Sequence, residues 1–167
     1  ALTDNINTSL HIPFTSVSLE LGIFYYVFAF ILIIGFVNSV NLTDGLDGLA
    51  GNQCVVYLIF IAIIISMQMI GQKTTNVTEL ENIVKLSVSL IGALLGFLVY
   101  NTNKASIFMG DTGSLSLGGF IGSISIFSSN SLFIPLLGIM FVLSSISVIV
   151  QVVYFKKTRK RVFLMAP

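Results

Sequence analysis

The chain has 167 residues, 55% of them hydrophobic and 9% charged, with a net charge of +1. A soluble domain carries about 25% charged residues, and an isolated domain of this size could not hide so much apolar surface from water. Composition therefore excludes an ordinary soluble domain and points to an integral membrane protein, with the lipid bilayer as its first partner. A single cysteine, Cys54, excludes an internal disulfide framework.

The N-terminal stretch ALTDNINTSLHIPFTSVS has no basic region followed by an apolar core, so it does not read as a signal peptide. The sequence does not begin with Met, which gives the expectation that it is part of something longer. Residues 21–40 form a first hydrophobic segment, long enough to span because about 20 residues at 1.5 Å each cross a hydrocarbon core of about 30 Å. Residues 55–70, 83–100 and 132–155 are further spanning candidates. Residues 115–127 are too short to span alone and are rich in Gly and Ser, which suits a helix packed inside a bundle. Two small-residue pairs, Gly92 with Gly96 and Gly118 with Gly122, are either packing faces or chance spacings. The expected fold class is all-α, a polytopic transmembrane helical bundle of about five hydrophobic segments in a single membrane domain.

Five of the eight Lys and Arg residues fall in KKTRKR, 156–161, directly after the last segment. The positive-inside rule places that cluster in the cytoplasm. Counting five crossings back puts 101–114 and 41–54 inside, 71–82 outside and the N-terminus outside. Lys104 then joins the cytoplasmic set. Asp4, Glu20, Glu79 and Glu81 fall outside in polar connections, whereas Asp44, Asp47 and Asp111 fall inside.

The three inner carboxylates sit in two glycine-rich stretches, NLTDGLDGLAG and FMGDTGSLSLGG, each immediately before a hydrophobic helix. A helix N-terminus favours negative charge. Glycines at 45, 48, 51, 110 and 113 permit positive φ and close approach of a ligand to the backbone. Carboxylate, Asn and Thr oxygens are hard ligands suited to Mg²⁺, which takes one or two carboxylates and shares its remaining positions with phosphates and water. The alternative is that these aspartates only cap helices. Asn38 and Asn41 end the first segment, Asn101 and Asn103 follow the third, and Gln151 lies within the last. Polar groups at membrane depth are costly unless paired, so they tend to face a bundle interior or a cavity. Phe108 offers an aromatic face to a base or is one more packing residue among fourteen Phe.

Together with the tail KRVFLMAP, the two acidic stretches resemble the polyprenyl-phosphate N-acetylhexosamine-1-phosphate transferases. The basic tail ending in MAP is similar to their phospho-N-acetylmuramoyl-pentapeptide branch. That resemblance implies Mg²⁺-dependent transfer of phospho-N-acetylmuramoyl-pentapeptide from UDP-N-acetylmuramoyl-pentapeptide to undecaprenyl phosphate, giving lipid I and UMP. It implies a multi-pass protein of the bacterial inner membrane with its site on the cytosolic side. It further implies that Asp111 contacts Mg²⁺ and that Asp44 and Asp47 are needed for catalysis. Asn41, Gly45, Leu46, Asn101, Gly110 and Gln151 would then line the substrate site, with Phe108 stacking on uracil. A homodimer is open to the complete enzyme, and no nucleic-acid partner is expected.

The family also has a paired-aspartate motif, assigned to the lipid phosphate, upstream of these two, and a His-rich loop directly after MAP. The sole histidine, His11, fits neither. The expectation is therefore that the 167 residues alone do not turn over substrate. Three other readings stay open: transfer of another sugar-1-phosphate, a small cation transporter, and a non-catalytic membrane remnant. Against transport, all three aspartates sit at one face rather than at mid-membrane, where transport sites usually lie.

Overall fold

The computed structural model describes residues 8–12, 15, 17–71, 77–102 and 104–163, with only the backbone described at His11 and Gly71. Asp4, Asn103, residues 72–76 of the 71–82 connection and the last four residues of the tail lie outside the described residues. Two short strands, β1 (Ser9–His11) and β2 (Ser18–Glu20), pair antiparallel with Leu10 opposite Leu19. Six helices follow: α1 (Phe24–Thr43), α2 (Leu49–Gly71), α3 (Val77–Asn101), α4 (Gly110–Phe127), the one-turn α5 (Ile134–Leu137) and α6 (Ile139–Thr158). The class is all-α, and the hairpin is its only sheet among the described residues.

Among the described residues four helices, α1, α2, α3 and α6, are long and apolar enough to cross a membrane, and the chain is a membrane protein. The fifth segment does not qualify by hydropathy, because α4 carries five Gly and four Ser in its 18 residues. Burial compensates: Leu117, Ile121 and Ile124 are buried, and the hydroxyls of Ser114, Ser116 and Ser125 each donate to the carbonyl four residues earlier. That local bonding removes the cost of burying a free hydroxyl. Both acidic stretches are more helical than the sequence suggests: α2 begins at Leu49 rather than near 55, and α4 begins at Gly110 rather than near 115. The last hydrophobic segment is also broken. Pro135 lacks an N–H and fits only a first turn, so 132–155 divides into a 3-10 turn (Ser131–Phe133), α5 with Pro135 at its start, and α6.

The core is centred on α2, where 39% of the spanning residues are buried against 17% or less in the other three. Tyr57, Leu58, Ile61 and Ile65 are fully enclosed, and Phe36 of α1 lies between Tyr57 and Phe141 of α6, at ring-centroid distances of 5.7 and 5.3 Å. Polar ties fasten α2 to α4 and to the turn after it. The Tyr57 hydroxyl meets Ser125 Oγ at 2.8 Å, and the Gln68 and Asn130 amides bond reciprocally at 2.9 and 3.1 Å.

The pairing that positions the functional end is α1 against α4. They run antiparallel in a constant register: Ile33 faces Gly122, Val37 faces Gly118, and Asn41 bonds Ser114. A Cβ added at Gly118 would lie 2.6 Å from Val37 Cα and 3.1 Å from the Phe36 carbonyl oxygen. The two backbones touch, and only glycine fits. The pair Gly92 and Gly96 behaves differently, being exposed with nothing within 4 Å of an added Cβ.

Gly118→Ala should therefore force α1 and α4 apart, at the roughly 1–3 kcal/mol typical of overpacking, and lower the thermal midpoint in detergent. Gly119→Ala should leave that midpoint nearly unchanged, since its Cβ would meet Val37 Cγ2 at an ordinary 3.8 Å.

Candidate active site

At one end of the bundle, residues 44–48 join α1 to α2 and residues 102–109 join α3 to α4. Between them lies a cleft of about 210 Å³. Nine of the ten residues that the resemblance implies for the site line it: Asn41, Asp44, Gly45, Leu46 and Asp47 from one side, and Asn101 at the end of α3 with Phe108, Gly110 and Asp111 from the other. Met109 is the lining residue that sequence missed, since a Met beside a glycine-rich helix start reads as packing.

Each wall is held by a specific bond. Asn101, 4% exposed, spends its amide on backbone: Oδ1 accepts from the Gly48 N–H at 2.9 Å, and Nδ2 donates to the Ile107 carbonyl at 2.8 Å. Asp47 Oδ2 accepts from the Ala105 N–H at 3.0 Å. These three bonds stitch the two connections together. Gly48 adopts φ +72°, a conformation that L side chains rarely take, and this turns its N–H toward Asn101. Of the other glycines singled out, Gly110 also has positive φ, whereas Gly51 and Gly113 lie inside helices against Leu98 and Met109.

Asp111 sits in the first turn of α4, where the helix dipole favours its charge. It is not a cap, because no side chain caps α4. Its Oδ1 instead accepts from Asn41 Nδ2 at 3.0 Å. The backbone N–H of Asp44 donates to the Asn41 carbonyl at 3.1 Å, but its carboxyl has no hydrogen-bond or ion-pair partner among the described residues. Its carboxyl is raised above the ordinary 3.8, first by partial burial and then by the negative charge of Asp111. So three carboxylates line the cleft: Asp44 feels the negative charge of Asp111, and Asp47 is tied to a backbone N–H. Among the described residues no three His, Cys, Asp or Glu side chains come close enough to hold a metal ion by themselves.

Phe108 is 72% exposed at the cleft, so core packing does not account for it. Leu46 is 40% exposed beside it on the same surface. Gln151 is the one candidate that does not line the cleft. Its Oε1 accepts the N–H groups of Val162 at 3.0 Å and Phe163 at 2.9 Å, gripping the chain after it turns through Arg159 at φ 57°. Strand-like and helical periodicities carry no sign of such a bond, which reaches 11 and 12 residues ahead to backbone.

Residues 2–129 match the sequence pattern described as glycosyl transferase family 4. Over 163 residues the chain is 47% identical to a phospho-N-acetylmuramoyl-pentapeptide-transferase of Clostridium botulinum (strain Eklund 17B / Type B), covering 98% of this chain and 47% of that relative. It is 43% identical over 163 residues to the Staphylococcus aureus (strain bovine RF122 / ET3-1) protein of that name, covering 98% and 48%. It is 43% identical over 166 residues to the one from Caldanaerobacter subterraneus subsp. tengcongensis, covering 99% and 49%. The chain spans about half the length of the curated relatives it matches.

Partial burial of Asp44, with the charge of Asp111 second, makes its ionisation costly in the folded state. A carboxyl whose folded value lies above its unfolded one makes the folded state bind protons more tightly, so its contribution to stability falls as pH rises and is most unfavourable once it is ionised. Asp44→Asn should raise the thermal midpoint at pH 7.5. The gain should shrink as pH is lowered through the raised value and vanish below the ordinary 3.8. A gain that persisted at low pH would show that charge is not its cause.

Proposed function

Because the chain belongs to glycosyl transferase family 4, we propose that its cleft is the nucleotide-sugar side of a membrane-embedded sugar-phosphate transferase. The reaction is transfer of phospho-N-acetylmuramoyl-pentapeptide from UDP-N-acetylmuramoyl-pentapeptide to undecaprenyl phosphate, in peptidoglycan synthesis. A phosphate oxygen of the lipid attacks the sugar-linked phosphorus of the UDP donor, the phosphoanhydride bond breaks, and UMP leaves as lipid I forms. The observation that carries this reading is the meeting of Asp44 and Asp111 in one cleft with an exposed Phe108. The names of the relatives at 43–47% identity support the choice of sugar.

The chain's own residues divide the work. Phe108 offers its open ring face to the uracil, Leu46 adds apolar surface beside it, and the exposed Gly45 and Gly110 leave room for the substrate to approach the backbone. Asn101 and Asp47 hold the two walls at a fixed separation, so that the donor is bound in one orientation. Asp44 and Asp111 fit a shared Mg²⁺. They are hard oxygen donors, they face one cleft, and two carboxylates without a protein cation are what this ion takes when phosphate and water complete its shell. When bound there, Mg²⁺ neutralises charge on the diphosphate. Without it the same carboxylates repel the substrate.

In the bacterial inner membrane the cleft faces the cytoplasm. Supporting this orientation, α1, α2, α3, α4 and the 131–158 segment (α5 and α6 counted as one crossing) make five alternating crossings, which puts the exposed basic cluster at 156–161 on the side of the two cleft-forming connections.

In a full-length protein carrying this segment, Asp111→Asn should abolish UMP release. Phe108→Ala should raise the KM for the UDP-sugar by roughly 5- to 150-fold, the equivalent of about 1–3 kcal/mol for an aromatic–base contact. An unchanged KM with only a lowered thermal midpoint would remove Phe108 from the nucleoside pocket. Orientation is tested separately. A cysteine at Thr78, exposed at the start of α3, should react with an impermeant thiol reagent in intact cells, and one at Thr158 should not. The reverse pattern would move the cleft to the outer face.

A further inference from the structure

Ser114 does not line the cleft, yet it lies at the centre of the bonds that hold Asp111. It is fully buried, one turn into α4. Its hydroxyl donates to the Gly110 carbonyl at 3.1 Å, and its oxygen accepts from Asn41 Nδ2 at 2.9 Å. The other hydrogen on the same Asn41 nitrogen goes to Asp111 Oδ1 at 3.0 Å. The polarity of this chain admits one arrangement. Asp111 Oδ1 is an acceptor and the Ser114 proton is already committed to a backbone carbonyl, so the Asn41 amide presents nitrogen to both. Flipping Asn41 would set its carbonyl oxygen against a carboxylate oxygen.

We infer that Ser114 is a positioning residue for Asp111, acting through Asn41. It holds the amide so that one carboxylate oxygen is tied down and the other is presented to the cation. This rests on the reading of Asp111 as a Mg²⁺ ligand and adds to it the residue that aims the ligand. Partners of this kind, behind a metal's own ligands, orient the coordinating group, and removing one typically weakens metal affinity 10- to 100-fold.

The test is Mn²⁺ binding, followed by electron paramagnetic resonance on the 167-residue chain in detergent, with Mn²⁺ alone as the probe. Ser114→Ala should weaken binding by roughly tenfold, while Ser116→Ala, an exposed serine on the same helix that bonds only Thr112, should bind as the unaltered chain does. Because Ser114 acts through Asn41, adding Ser114→Ala to Asn41→Ala should cause no further loss. Equal losses in both backgrounds, or a lowered thermal midpoint with unchanged Mn²⁺ affinity, would make Ser114 a packing residue and overturn the inference. Asp111→Asn separates the two levels. Lost binding there with normal binding in Ser114→Ala overturns the positioning role alone. No binding by the unaltered chain, or none lost in Asp111→Asn, overturns both.

Discussion

The backbone contact between α1 and α4 is the constraint on which the functional end depends. Val37 Cα and Gly118 are so close that no side chain separates the helices. One turn nearer the cleft that closeness lets the short Asn41 side chain reach both Asp111 and Ser114. A wider spacing, set by alanine or larger residues, would leave a gap that an asparagine cannot bridge. Packing in membrane helices is commonly tightened with glycine because lipid provides no hydrophobic drive between helices. In this chain the same device sets the reach of a polar side chain into a site.

The polar side chains of the bundle are, as a rule, paired. Serines inside helices return their protons to the preceding turn, as at Ser66, Ser87 and Ser125. Asn38 and Asn52 bond back four residues in the same way, whereas Asn101 links the two cleft connections and Gln68 reaches Asn130. Asp44 breaks the rule. Its carboxyl is partly buried, within the field of another carboxylate, and without a hydrogen-bond or ion-pair partner among the described residues. Buried polar groups left unsatisfied in an otherwise consistent fold tend to mark function, where stability is given up for chemistry.

Much of the architecture was legible because the bilayer imposes it. Twenty apolar residues in a row admit only one reading in lipid, so α1, α2, α3 and α6 were visible as hydrophobic runs. The cleft was legible for another reason: Asp44, Asp47 and Asp111 sit at the same end of alternating segments, and alternation alone brings them together. What the pattern hid is tertiary in origin. Gly51 and Asn52 argue against helix by propensity, yet α2 starts before them because Gly51 lies against Leu98 of α3. The break into α5 and α6 falls at Pro135 and Gly138, inside a run apolar enough to read as one span. Strands of three residues are too short for alternation to register. Ser114 fell in the 101–114 connection just before the expected helix at 115–127, and its partner lies 73 positions away.

The ties between α2 and the α4 side, one at Tyr57 and one at Gln68, have a mechanical meaning. A pair of helices pinned at one point can still pivot, and a pair pinned at two separated heights cannot. Eleven residues of α2 separate these pins, about 16 Å at 1.5 Å per residue. The two helices therefore move as a single beam, with α1 clamped to it by the glycine contact. The wall of the cleft that carries Asn41 and Asp111 therefore keeps one shape, set by helices locked together over most of their length.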